Sequence, residues 1–129
     1  MRIPMVKILY FALTVIFTLM ITTQIILAGM AVFIHPMHWA NHTFFIHLFG
    51  FNVPLLLLIV AWLAKLPRVV YWQIFGLMLM MFLMYFSANI AGHFPWFAAL
   101  HPVIGTGLLL LSFWMVIQAK FYLNKENQS

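Results

Sequence analysis

The 129-residue chain has no cysteine, a single acid, Glu126, and only 5% charged residues. Without thiols there can be no disulfide, thiolate metal centre or thiol nucleophile. One carboxylate cannot form the acid pair of a glycosidase or a carboxylate relay that carries protons through a membrane. Six basic residues and one acid also cannot coat a water-soluble domain, in which about a quarter of positions are charged. The chain is instead 67% hydrophobic and 18% aromatic, so lipid must face most of its surface.

The apolar residues fall in four runs, 8–34, 44–64, 69–91 and 96–119. Each is long enough to cross a hydrocarbon core of about 30 Å as a helix. An open strand in lipid would leave backbone donors unpaired, so all four runs predict helices. Their short connections predict an all-α, up-and-down antiparallel four-helix bundle, one polytopic membrane domain over residues 1–129. Arg2 and Lys7 precede the first run, and Gly29-Met30-Ala31 has the small-x-small form of a signal cleavage site. The apolar part is much longer than the usual 7–15 residues or so of a signal peptide, so the run is expected to stay as a span.

Arg2, Lys7, Lys65, Arg68, Lys120 and Lys125 lie in the N-terminal segment, the connection after the second run and the C-terminal tail. Four crossings put these segments on one side, which the positive-inside rule makes cytoplasmic, with both termini inside. The net charge of +5 is spread thinly over three juxtamembrane segments. It reads as a topology signal with attraction to anionic lipid, and nucleic acid is not an expected partner.

Histidine has the opposite distribution. His35, His38 and His42 fall in the first outer connection, His47 about one turn inside the second helix, His93 in the second outer connection and His101 near the start of the fourth helix. Gly50 and Pro54 share a helical face with His47, and Gly105, Leu108 and Ser112 share one with His101. An imidazole with glycine one turn below suits a flat macrocycle, because imidazole binds iron axially and the absent side chain admits the porphyrin edge. One b-type haem held by His47 and His101, with Gly50 and Gly105 beneath, is therefore one reading. Only one haem could be housed, near the outside, and the outer face lacks the Arg or Lys that propionates favour.

The same residues support other readings. A scaffold or accessory subunit without a cofactor, using its histidines only for packing, competes with haem. Imidazole and thioether in His35, Met37, His38 and His42 offer an external copper or zinc site. Met78, Met80, Met81 and Met84 read as gap fillers between helices rather than copper ligands. Thr14, Thr18, Thr22 and Gly29 form one stripe, and Tyr85, Asn89 and His93 another, both expected to face the bundle interior. Gln24, His47, Asn89, His93 and His101 could then bound a polar pocket for a quinone head group or haem edge. The fourth helix starts either near Pro95 or at Pro102, since both prolines suit a first turn.

Ala28-Gly29-Met30-Ala31-Val32-Phe33, then His47 with Gly50, then Pro67-Arg68, then Leu100-His101-Pro102-Val103 resemble, in order and spacing over nearly the whole chain, a domain-of-unknown-function family of small four-span bacterial membrane proteins (domain of unknown function 6220). The resemblance implies four spans, the bacterial cytoplasmic membrane and attention to His47 and His101, and it supplies no activity or substrate. His35, His38 and His42 lie outside the resembling pattern. Expected partners are the bilayer and a membrane protein or a second copy of the chain. Independent catalysis is not expected.

Overall fold

The computed structural model describes residues 5–127, so Arg2 lies outside the described residues. Its helices are α1 (Met5–Phe33), α2 (His38–Phe49), α3 (Asn52–Leu63), α4 (Arg68–Asn89), α5 (Pro95–Ala98) and α6 (His101–Asn127), with no strand among the described residues. Four segments are long and apolar enough to cross a membrane: Met5–Phe33, His38–Leu63, Arg68–Asn89 and Pro95–Lys125. The protein is a multi-pass, all-α membrane bundle with lipid-facing helices. Two of its crossings are interrupted, the second between α2 and α3 and the fourth between α5 and α6.

Each long helix buries one stripe at helical spacing. Tyr10, Thr14, Phe17, Ile21 and Gln24 form it on α1, Val70, Ile74, Leu77 and Met81 on α4, and Leu108, Ser112, Met115 and Ala119 on α6. The opposite faces expose Leu19, Trp72, Phe75 and Leu110, as lipid solvent requires. α1 packs against α2, α3 and α6, and α4 packs against α6 and α3. Phe17 meets Phe49 edge to face, with ring centroids 5.9 Å apart, tying α1 to the end of α2.

Two expectations about helix limits are corrected, and the start of the fourth helix, left open by the sequence, is decided. The second span starts at His38, not residue 44, so His38 and His42 belong to a helix instead of a connection. Polarity misplaced this boundary: Asn41 and His42 read as loop, whereas backbone bonds such as Ala40 N–H to the Met37 carbonyl at 3.1 Å already form a helix there. That span also breaks at Gly50 and Phe51. Pro54 has no N–H to offer the Gly50 carbonyl, and α3 resumes at Asn52. Gly50 and Pro54 are buried while His47 is exposed, so His47 does not share their inward face. In the fourth span, α5 is a single turn and the long helix begins at His101, with Pro102 in a first turn that needs no N–H.

Candidate functional site

Polar side chains link one span to another in two layers, one toward the histidine-rich end of the bundle, called outer, and one toward the basic end, called inner. In the outer layer the Gln24 Nε2 donates to the His42 carbonyl at 2.7 Å, and His42 Nδ1 donates to the Gln24 carbonyl at 3.0 Å, joining α1 to α2. A carbonyl only accepts, so His42 holds its proton on Nδ1 and keeps a lone pair on Nε2. Across the bundle the buried Ser87 of α4 gives its hydroxyl proton to the Met84 carbonyl at 3.0 Å. Its Oγ is left to accept from His101 Nδ1 at 2.9 Å, which fixes His101 in the same tautomer. Gln24 is 5% exposed, and its Oε1 is buried without a partner.

The inner layer consists of Gln73 Nε2 donating to Gln118 Oε1 at 2.7 Å, between α4 and α6, and the Tyr71 hydroxyl on the Ala61 carbonyl at 3.3 Å, between α4 and α3. Helix geometry sets the bundle in the bilayer. Nineteen residues toward the inner end from Gln24, Ser87 and His101 lie Met5, Arg68 and Lys120. That is about 28 Å at about 1.5 Å per residue, which matches the hydrocarbon thickness. The outer polar layer thus lies about one hydrocarbon thickness along the helices from the end of the bundle that carries Arg68 and Lys120.

His47 is exposed, and its Nδ1 is 3.4 Å from the Tyr85 hydroxyl, which also donates to the Ile46 carbonyl at 3.3 Å. His101 and His47 thus find their partners at positions 87 and 85 of the same helix. Residues two apart differ by about 3 Å in height but by about 200° around the axis. The two imidazoles therefore meet α4 on nearly opposite sides of its axis.

The glycine spaces have occupants. A Cβ on Gly50 would lie 2.8 Å from Met81 Cε and 3.0 Å from the Tyr85 hydroxyl, and one on Gly105 would lie 3.3 Å from Met84 Cε. Gly107 faces Met80 Cε at 3.1 Å in the same way. These methionines are the gap fillers expected from sequence, each laid into the notch of a glycine on a neighbouring helix.

The other candidates disperse. His35 Nδ1 accepts from the Met37 N–H at 3.1 Å and His38 Nδ1 lies 3.2 Å from Asn41 Nδ2, both local contacts. No three histidine or acid side chains gather into a metal cluster among the described residues. The threonine stripe is corrected: Thr14 is buried, Thr18 half-buried and Thr22 exposed. Their hydroxyls bond carbonyls of α1 itself, which satisfies them in lipid without a neighbouring helix. Asn89 likewise bonds the Tyr85 carbonyl at 2.8 Å and is exposed, as is His93, so the expected five-residue polar pocket does not assemble. Sequence reading missed the His42 pairing with Gln24 because it placed His42 in a loop. It missed the Gln73 to Gln118 bond entirely, although two glutamines within apolar runs were a signal.

Residues 24–92 match a family of unknown function (DUF6220). That segment runs from the outer end of α1 through α4 and stops short of His101, so the likeness covers less of the chain than its motifs implied. No curated protein and no solved structure matches the chain.

Proposed function

We propose, from the premise that the chain belongs to the DUF6220 family of unknown function, that it is a non-catalytic accessory subunit or scaffold of the cytoplasmic membrane. Both termini face the cytoplasm, on the side of the basic residues. The observation that carries this reading is the use of the outer polar side chains: Gln24, His42, Ser87 and His101 are committed to bonds that join α1 to α2 and α4 to α6. The buried Ser87 and the half-buried His101 are not arranged for nucleophilic catalysis. The hydroxyl proton points at Met84 and the imidazole donates to Oγ, the reverse of a base accepting from a nucleophile.

A second reading, one haem b between His47 and His101, is favoured by their common height and by the Nδ1 contact of each ring, which leaves Nε2 toward a metal. It has to displace Met81, Tyr85 and Met84 from the glycine notches and to bridge α4. Absorption spectra with and without reductant, on protein purified after expression with ample haem, separate the two. The scaffold reading expects no haem bands. Bands abolished in both His47→Ala and His101→Ala would replace it with the haem reading.

A further inference from the structure

Where α3 turns into α4, at the basic end of the bundle, Trp62, Leu63, Lys65, Leu66 and Tyr71 line one open cleft of about 450 Å³. Trp62 and Leu63 are exposed on its α3 side, Leu66 is buried, and the Tyr71 hydroxyl is tied to the Ala61 carbonyl at 3.3 Å. Apolar and aromatic walls with a single cation, at the end of a membrane span, match a molecule that has an acyl part and an anionic head. Two further observations favour an anion over a neutral occupant. The only acid in the chain is Glu126, so neither α3, α4 nor the turn between them supplies a carboxylate for the Lys65 ammonium. Lys65 also stands at a left-handed φ of 51°, in the capping position that glycine suits best. A side chain there costs backbone energy, which contact with a ligand offsets.

We infer that this cleft binds one anionic phospholipid, with its phosphate on the Lys65 ammonium and its acyl part along Trp62, Leu63 and Leu66. Lysine meets phosphate as a point charge with three donors, and an indole ring suits the level where head group gives way to acyl chain. Such a site differs from diffuse attraction to a basic surface in holding one lipid at one turn. Lys120 and Lys125 do not line the cleft and take no part in it.

Native mass spectrometry of the detergent-solubilised full chain, offered phosphatidylglycerol or phosphatidylcholine, counts the bound lipid and ranks the two. The expected result is one phosphatidylglycerol per chain, held in preference to phosphatidylcholine. Affinity should fall about tenfold or more in Lys65→Gly, the loss of a hydrogen bond to a charged group, and stay unchanged in Lys120→Gln. Thermal unfolding in the same detergent gives a second readout. Phosphatidylglycerol should raise the midpoint of the native chain and leave that of Lys65→Gly where it is. Glycine suits this backbone, so misfolding of the variant does not imitate that result. Absence of bound lipid, equal binding of the two lipids, full affinity in Lys65→Gly, or an equal loss in Lys120→Gln would overturn the site, the last being the behaviour of a diffuse basic surface.

Discussion

At single residues, the presence or absence of one methyl group separates packing glycines from idle ones. A Cβ at Gly50 would come within 2.8 Å of both the Ile46 carbonyl oxygen and Met81 Cε, and the first of these is backbone that cannot swing aside. Gly50→Ala is expected to cost about 1–3 kcal/mol in reversible unfolding from detergent, the usual range for overpacking. Gly29 has nothing within 4 Å of the same position, so Gly29→Ala should be neutral or stabilising by roughly 0.4–1 kcal/mol through the unfolded chain. Equal losses at the two sites would contradict this division. Sequence showed that glycine stands near each candidate histidine, but not what fills the notch. Methionine or porphyrin could serve equally at that spacing, and only the position of α4 decides between them.

Among the elements, the turn between α3 and α4 shows how a helix end can be specified by hydrogen bonds against local preference. Lys65 adopts a left-handed backbone with φ 51°, and the Lys65 and Leu66 N–H groups return to the Trp62 and Ala61 carbonyls, both at 3.1 Å. This is the double bond of a Schellman cap, which glycine ordinarily occupies. Lys65→Gly should raise stability by on the order of 0.5–1 kcal/mol, since the side chain disfavours that conformation. A lower unfolding midpoint would show that the lysine contributes more at the lipid boundary than its backbone costs. Apolar length alone made the four spans legible, because lipid demands helices of that size. The break at Gly50 was not read, although Gly50 and Pro54 at a four-residue spacing are the residues that cause it. A window of hydropathy averages over a missing N–H.

For the whole molecule, the polar side chains separate into a histidine-bearing end and a basic end of the bundle. The basic residues at one end and the layer of Gln24, His42, Ser87 and His101 at the other are about 28 Å apart along the helices. α1 continues nine apolar residues beyond Gln24, with Ile25, Ile26, Val32 and Phe33 exposed, so its lipid-facing surface extends past that polar layer. The chain has no cysteine, which makes labelling unambiguous. His93→Cys should react with a membrane-impermeant maleimide in intact cells and Lys65→Cys only after permeabilisation, and the reverse pattern would invert the topology. Segregation of basic residues from histidine was visible in the sequence, whereas the pairing of particular histidines depended on helix phase and was not. The bundle is held at its outer end by side-chain bonds between spans, and the cleanest of these joins Ser87 to His101. A double-mutant cycle of Ser87→Ala and His101→Ala, read by unfolding in detergent, measures that bond directly. The expected coupling is about 0.6–1.7 kcal/mol, while strictly additive losses would contradict the tie on which the scaffold reading rests.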